Sequence, residues 1–277
     1  MHLFSSRTVT LFAFLLLYIF SGCKKQKVIE EEPKETPPVI NSVLIPVKTP
    51  VSSIVDGYYV ILPSNYQQSA ETFPLMIFTP GAGQFGNGFS DLPLLLKDGP
   101  AQIADEKKFP GTFTVNGKKH SLIVFTPQFK RYPSSSEINE CIKFAKRTYR
   151  IDTSRVYLSG LSIGGIETSN LGAEIPSKIA AIVPMAGVFP DYATTEKCRI
   201  MAQSNLPVWL FHSADDPLIP LSTINGFVSK FNSYNPAIVP KLTVWPNGGH
   251  DAWTRAIDPL YKKDGMNIYE WMLQYKR

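Results

Sequence analysis

The chain has 277 residues, of which 44% are hydrophobic and 18% charged, and its formal net charge at pH 7 is +5. This composition is ordinary for a globular protein, and the length allows one large α/β domain or two small ones. The lysines and arginines are scattered apart from one cluster near the N-terminus, so we expect no nucleic-acid partner.

The first residues have the features of an export signal. Arg7 precedes an apolar run from Val9 to Phe20, which is shorter than the roughly 20 residues of a membrane-spanning helix. Phe20-Ser21-Gly22-Cys23 follows and resembles the lipobox of bacterial lipoproteins, whose cysteine carries the lipid. The alternative is an ordinary cleaved signal followed by a stray cysteine. We predict a signal peptide over residues 1–22 and a lipid anchor on Cys23, which would hold the exported chain at the cell envelope.

We predict that residues 23–38 form a flexible tether. From Lys24 to Pro38 the sequence KKQKVIEEEPKETPP is charged and rich in proline, so it cannot bury enough apolar surface to fold. We therefore expect one folded domain over residues 39–277. Cys141 and Cys198 are too few for a disulfide scaffold, and the sequence leaves open whether they pair.

From Val39 onward, short β-rich runs alternate with helix-length segments. The predicted strands are Tyr58 to Leu62, Leu75 to Thr79, Leu122 to Thr126, Arg155 to Ser159, Ile179 to Met185, Val208 to His212 and Leu242 to Trp245. The predicted helices are Ser136 to Tyr149, Ile163 to Ala173, Thr223 to Tyr234 and Met266 to Tyr275. This order predicts an α/β fold with a mostly parallel sheet and helices on both faces. In such sheets, functional groups lie at the carboxyl ends of the strands.

A serine stands where one predicted strand ends and the next predicted helix begins. Gly160-Leu161-Ser162-Ile163-Gly164 has the spacing of a nucleophile elbow, in which flanking glycines allow a strained turn that exposes the hydroxyl. The alternative is a serine in a glycine-rich turn. The strand before it and the helix after it favour the nucleophile, which then requires a histidine base and an acid.

Four histidines are candidates for that base. His2 lies in the export signal, and His120 follows a predicted hairpin turn at Asn116-Gly117. His212 ends an apolar run, where we expect it to shape the end of a strand. His250 lies in a loop with two glycines after the last predicted strand, and although it could be a surface histidine, we predict it as the base.

Two adjacent carboxylates, Asp215 and Asp216, follow the predicted strand Val208 to His212. One of them is expected to accept the N–H of His250 and to stabilise the imidazolium. The other is expected to face solvent or to cap a turn. These residues alone do not decide between the two.

With a serine, an acid pair and a histidine in this order, the sequence resembles the α/β-hydrolase superfamily. The acid loop of that superfamily resembles Gly-x-x-Asp-x-x-Val-Pro, which implies Asp216 as the acid, with Ser213 in place of the glycine. Pro80-Gly81-Ala82-Gly83 resembles the His-Gly-x-Gly loop, with proline in place of histidine. The resemblance implies that the backbone N–H groups of Ala82 and Ile163 form the oxyanion hole.

The resemblance can be narrowed to the polyhydroxybutyrate depolymerase and feruloyl esterase-like group. This group includes enzymes of the carbohydrate esterase family 1 type and predicted peptidases related to phospholipases and carboxylesterases. The segments that carry the similarity are Thr126-Pro127-Gln128, Tyr149 to Gly165, Ala180 to Gly187 and Gly248-Gly249-His250-Asp251-Ala252-Trp253. It implies a serine carboxylesterase that acts on acylated carbohydrate or similar esters. Only a short connection separates the predicted strands Ile179 to Met185 and Val208 to His212, so we expect no large lid. The sequence has no cluster of histidine, cysteine or carboxylate residues with metal-ligand spacing, and we expect no metal or organic cofactor.

Several aromatic residues are candidates to line the site, with core packing as the alternative for each. They are Phe85, Phe89, Phe189, Tyr192 and Trp253. We predict Trp253 and Phe85 as substrate-binding residues. Two other functions stay open at this point, a serine peptidase that uses the same triad and a catalytically inactive binding protein.

Overall fold

The structure, a computed structural model, describes residues 42–193 and 195–277. The predicted signal peptide and tether, with Cys23, lie outside these residues. The strands are β1 (Ser42–Val47), β2 (Gly57–Pro63), β3 (Phe73–Thr79), β4 (Phe113–Val115), β5 (Lys118–His120), β6 (Ile123–Gln128), β7 (Ile151–Leu161), β8 (Ala181–Met185), β9 (Trp209–Ser213) and β10 (Lys241–Trp245). The helices are α1 (Pro100–Asp105), α2 (Ser135–Thr148), α3 (Ile163–Glu174), α4 (Lys197–Gln203), α5 (Leu221–Asn232), α6 (Trp253–Ala256) and α7 (Ile268–Met272). None of the helices among the described residues is long and apolar enough to span a membrane.

Eight of the strands in the described residues form one sheet in the order β1-β2-β6-β3-β7-β8-β9-β10. The pairs β1/β2 and β2/β6 are antiparallel, and every later pair in that order is parallel. The carboxyl ends of β6, β3, β7, β8, β9 and β10 therefore meet at one edge of the sheet. This arrangement confirms the predicted mostly parallel sheet.

The core lies on both faces of this sheet. Alternate residues of β3 belong to different apolar clusters, Leu75 and Ile77 to one and Met76 and Phe78 to the other. Helices α2, α3, α4 and α5 cover the first face, and α1, α6 and α7 cover the second. A parallel strand buried on both faces is expected to be apolar throughout, as β3 is.

The sequence of α2 shows why these helices form where they do. Ser134 caps its first turn by accepting the N–H of Glu137, and the Glu137 carboxylate accepts the Ser134 N–H in return. The buried residues Ile138, Cys141, Ile142 and Ala145 recur at helical spacing, so one face of α2 packs against the sheet.

The short helices α1, α4 and α6 were not predicted, and β7 is longer than predicted. Two further differences have a clear physical reason. The first is β1, an antiparallel edge strand that was not predicted because it is only half buried and contains Pro46. The second is the last helix, which was predicted over Met266 to Tyr275 but spans only Ile268–Met272. Asn267 caps it by accepting the N–H of Glu270, so the helix cannot begin earlier. The hairpin turn at Asn116-Gly117 is confirmed, with positive φ at both residues between β4 and β5.

The connection from β8 to β9 packs into the body of the fold. Its helix α4 buries Cys198, Met201 and Ala202 against the core on the first face. The described residues of the connection therefore form no large lid over the sheet edge. Cys198 and Cys141 are both buried and unpaired.

Candidate active site

Ser162 occupies a strained turn between β7 and α3. Its φ of 54° and ψ of −121° lie in a region that non-glycine residues rarely adopt. The turn is fixed on one side by the Ser162 N–H, which donates to Met185 O at 2.9 Å. This backbone presents the hydroxyl at the carboxyl edge of the sheet, while the side chain stays only partly exposed.

Glycines around this turn allow backbones to approach more closely than a side chain would permit. A Cβ on Gly164 would lie 2.0 Å from Thr79 O, and one on Gly160 would lie 2.4 Å from Gly164 O. A Cβ on Gly187 would lie 2.5 Å from Ser162 O. The first turn of α3 therefore packs directly against the ends of β3 and β7.

Ser162, His250 and Asp216 form a continuous chain of hydrogen bonds. The Ser162 Oγ lies 2.8 Å from His250 Nε2, and His250 Nδ1 lies 2.7 Å from Asp216 Oδ2. Because a carboxylate only accepts, the proton is assigned to Nδ1, which leaves Nε2 to accept from the serine hydroxyl. The three residues follow β7, β10 and β9, so the same edge of the sheet carries all of them.

The environment of Asp216 keeps it ionised. Burial favours the neutral acid, but Oδ1 accepts the N–H groups of Ile219 at 3.0 Å and Leu218 at 2.8 Å. Together with the bond from His250, these bonds outweigh burial and hold the pKa of Asp216 below its ordinary value. A buried carboxylate facing the imidazole is therefore available to stabilise a positive charge there.

The neighbouring Asp215 has a different role. It is exposed, and its Oδ1 accepts the N–H of Gly249 at 2.8 Å. Gly249 and Gly248 both have positive φ, and a Cβ on Gly248 would lie 2.6 Å from Ser213 Oγ. Asp215 therefore holds the loop that carries His250, while Asp216 touches the imidazole itself.

The loop after β3 lies against the nucleophile. Ala82 begins a short 3₁₀ turn over Ala82–Gln84, and a Cβ on Gly81 would lie 2.4 Å from Leu161 Cδ1. Ile163 is the first residue of α3, and the first N–H groups of a helix have no partner within it. The structure thus brings the loop of Ala82 beside the strand end that leads into Ser162 and Ile163.

Two buried glutamines that the sequence did not single out as site residues fix this loop. Gln84 Oε1 accepts the Gly81 N–H at 3.1 Å, and its amide donates to Asp98 O at 3.1 Å. The amide of Gln128 donates to Gln84 O at 3.1 Å, and its Oε1 accepts the Gly88 N–H at 2.8 Å. In the sequence, Gln84 follows the Pro80-Gly81-Ala82-Gly83 loop and Gln128 ends Thr126-Pro127-Gln128. The pattern carries no further signal for them, because both side chains fix the loop through contacts between distant segments.

Comparisons with known proteins show which families and folds the chain is similar to. The family model described as phospholipase/carboxylesterase matches residues 130–263, which include Ser162, Asp216 and His250. A bifunctional acetylxylan esterase/xylanase, XynS20E of Neocallimastix patriciarum, is 32% identical over 112 residues, which are 40% of this chain and 16% of that protein. The match thus covers only a small part of this curated relative.

Solved structures with the same fold include a thermostable esterase and a feruloyl esterase module. The thermostable esterase is 20% identical with a TM-score of 0.58, and the alignment covers 86% of this chain and 64% of that one. The feruloyl esterase module of Clostridium thermocellum, solved with sinapinate, is 15% identical with a TM-score of 0.53 and coverages of 78% and 84%. The chain has the α/β-hydrolase fold. This confirms the predicted fold class, and the family model and relatives support the predicted enzyme class, a serine hydrolase of carboxylic esters.

At the candidate site, Trp253 packs beside His250. The ring centroids of Trp253 and His250 lie 5.3 Å apart at an interplanar angle of 86°, and Trp253 Nε1 donates to Asp98 Oδ1 at 2.9 Å. Phe85 is half buried against the core, and its predicted role in substrate binding stays a prediction. Phe189 is fully buried beside Phe227, so of the aromatic candidates it belongs to the core.

A second histidine, His212, lies beside the loop that carries Asp216. It is fully buried, and its Nε2 donates to Ile219 O at 2.8 Å while lying 3.8 Å from Asp216 Oδ2. Its Nδ1 has no hydrogen-bond partner among the described residues. Burial lowers the pKa of His212 and outweighs the opposing effects of the Ile219 carbonyl and the Asp216 carboxylate, which favours the neutral imidazole. Ile219 thus binds Asp216 through its N–H and His212 through its carbonyl.

We predict that His212→Gln changes how the stability of the protein depends on pH. An amide can still donate to Ile219 O, but we expect the free energy of unfolding at pH 8 to fall by about 1–3 kcal/mol because the buried site fits glutamine imperfectly. Below about pH 6.5 the unfolded wild type protonates this histidine, whereas the folded wild type, with its lowered pKa, does not. The wild type therefore loses stability there that the variant does not lose.

Urea unfolding of both proteins from pH 5 to pH 8 checks this. All other titrating groups are common to the two proteins, so their difference in unfolding free energy isolates position 212. The difference should be constant above about pH 7 and shrink as the pH falls. A difference that stays constant down to pH 5 would contradict a neutral, buried His212.

Proposed function

We propose that this chain is a serine carboxylesterase that acts through Ser162, His250 and Asp216 and forms an acyl-enzyme. The observation that carries the proposal is the chain of hydrogen bonds of 2.8 and 2.7 Å that links these residues at a strained strand-to-helix turn. A serine hydroxyl needs an adjacent base to become nucleophilic, and the base needs an acid to fix its tautomer. Both requirements are met by neighbours with matching donors and acceptors.

The first half of the reaction forms the acyl-enzyme. Ser162 Oγ attacks the ester carbonyl while its proton passes to His250 Nε2, and Asp216 stabilises the resulting imidazolium. The N–H groups of Ala82 and Ile163 donate to the oxyanion of the tetrahedral intermediate. The imidazolium then gives its proton to the leaving alcohol as the C–O bond breaks.

The second half regenerates the serine. His250 takes a proton from water as the water attacks the acyl carbonyl, and returns that proton to Ser162 Oγ when the acid product leaves. Every step uses groups of the chain and water. We therefore propose that no metal or organic cofactor is required.

For the substrate we propose acylated carbohydrate, with an acetyl or feruloyl group, or a similar ester. The support comes from relatives whose names describe an acetylxylan esterase and a feruloyl esterase module. The position of α4 adds to it, because this helix packs into the core, so the described residues between β8 and β9 form no large lid. An ester attached to a bulky sugar chain can reach a site of this kind.

Neighbouring carboxylates give a matched test of the triad. We expect Asp216→Asn to lower kcat/KM for p-nitrophenyl acetate by about 10³-fold or more, since the amide cannot hold the required tautomer. Asp215→Asn should lower it by less than about tenfold, because this residue only holds a loop. Ser162→Ala should remove the activity.

The other outcomes decide against the proposal. Equal rates for wild type and Ser162→Ala would exclude Ser162 as the nucleophile. Cleavage of peptide p-nitroanilides in preference to esters would indicate a serine peptidase. No turnover by folded wild type of either substrate would indicate an inactive binding protein.

We also propose that the chain is exported and held at the bacterial cell envelope by a lipid on Cys23. The support is the sequence alone, with Arg7, the apolar run from Val9 to Phe20, and the small residues before the cysteine. Expressed in a bacterium, the wild type should fractionate with membranes and Cys23→Ser should be soluble. A wild type found in the soluble fraction, with no lipid on its N-terminal peptide by mass spectrometry, would contradict the anchor.

A further inference from the structure

A polar groove of about 470 Å³ lies beside α3. We call it the α3 groove. Its lining includes Arg131, Tyr132, Ser135, Glu167, Asn170 and Lys197. The volume falls within the roughly 300–1,000 Å³ of small-molecule sites, but such sites are mostly apolar. Hydroxyl, amide and charged groups instead suit a ligand with many hydroxyl groups.

The α3 groove is lined in part by the helix that begins directly after the nucleophile. Glu167, Asn170 and Glu174 line it and lie 5, 8 and 12 residues after Ser162 on the same helix. At 1.5 Å per residue, they are about 8, 12 and 18 Å from Ser162 along the helix axis. The other walls follow β6 and β8, whose carboxyl ends share the sheet edge with the triad. A chain-like ligand with its ester at Ser162 can therefore extend into this groove.

Glu167 organises the centre of the groove. It is only 5% exposed, and its carboxylate accepts from Tyr132 Oη at 3.0 Å, Asn170 Nδ2 at 2.9 Å and Ser135 Oγ at 3.2 Å. Burial and the nearby Glu167 raise the pKa of Tyr132 to about 12, so its phenol stays a neutral donor. These bonds fix the polar groups before any ligand arrives, which lowers the entropic cost of binding.

Tyr132 supplies a flat surface at the groove. Its hydroxyl is held by Glu167, while the side chain remains 44% exposed. The face of an aromatic ring carries partial negative charge and attracts the apolar C–H face of a sugar ring. The exposed part of the ring can contact the C–H face of a sugar, and the polar groups beside it can bind the sugar hydroxyls.

The charges of the groove favour a neutral ligand. Its ionisable lining consists of two cations, Arg131 and Lys197, and two anions, Glu167 and Glu174. Arg131 is paired with Glu137 at 2.7 Å and Lys197 with Asp191 at 3.3 Å. A phosphate, sulfate or uronate would find no free positive charge of its own among these groups.

We propose that the α3 groove is a carbohydrate subsite that binds the neutral sugar chain of the ester substrate. The inference rests on the proposed esterase function, since it extends the substrate of that site beyond the reacting ester. Tyr132 would stack on one sugar ring, and the amides and hydroxyls around Glu167 would bind its hydroxyl groups.

The test compares a substrate that fills the groove with one that cannot reach it. We expect Tyr132→Ala to lower kcat/KM for acetylated xylo-oligosaccharides by about five- to tenfold, the loss expected for one stacked ring. For p-nitrophenyl acetate it should stay within about twofold of wild type, because the triad is untouched. Tyr132→Phe keeps the ring and should retain most of the oligosaccharide activity. Equal changes for both substrates, or no change for either, would overturn the proposal.

A binding measurement separates this proposal from the esterase itself. Ser162→Ala protein is titrated calorimetrically with unesterified xylo-, manno- and gluco-oligosaccharides, and with an oligogalacturonate as the charged control. We expect at least one neutral oligosaccharide to bind, the charged one not to bind, and Tyr132→Ala in the same background to weaken the neutral one. If the wild type hydrolysed no ester but bound sugar through Tyr132, the esterase would fail and the subsite would stand. Binding by none of the neutral sugars would overturn the subsite.

Discussion

The active-site geometry depends on one close approach, that of the first turn of α3 to the end of β3. Gly164 lies so near Thr79 that a Cβ would be 2.0 Å from its carbonyl oxygen. This contact keeps Ser162 in its strained conformation, with φ at 54°, and brings the loop of Ala82 beside the start of α3. The strands β3 and β8, which flank β7, are buried along their whole length. Their packing offsets the strain at Ser162. A larger side chain at Gly164 would have to move α3, and with it the nucleophile.

Around this turn, residues of the same type have different roles because their surroundings differ. Asp216 is buried and bonded to His250, whereas the adjacent Asp215 is exposed and holds the histidine loop through Gly249. His250 has one nitrogen for the serine and one for the acid, whereas the fully buried His212 stays neutral and binds the carbonyl of Ile219. In both pairs, burial and the number of hydrogen bonds decide the role rather than the residue type.

Much of this could be predicted from the sequence because it depends on local patterns. The alternation of apolar runs with helical periods predicted the parallel sheet, and the glycine spacing around Ser162 predicted the position of the strained turn. The contacts that fix the site could not be predicted. The Gln84 amide donates to Asp98 O, and Asp98 Oδ1 accepts from Trp253 Nε1, a residue 155 positions further along the chain. Pairings of that kind follow from the packed fold and leave no periodic signal. The α3 groove was missed for the same reason, since its walls come from three separate segments.

Covalent labelling of the protein by a fluorophosphonate, followed by mass spectrometry, tests most directly whether Ser162 is activated through His250. A fluorophosphonate reports nucleophilicity and needs no knowledge of the natural ester. We expect a single adduct on Ser162, and at least about 100-fold slower labelling of His250→Gln, since that variant lacks the base. An adduct on another residue, or a His250→Gln variant that labels as fast as the wild type, would contradict activation of Ser162 by His250.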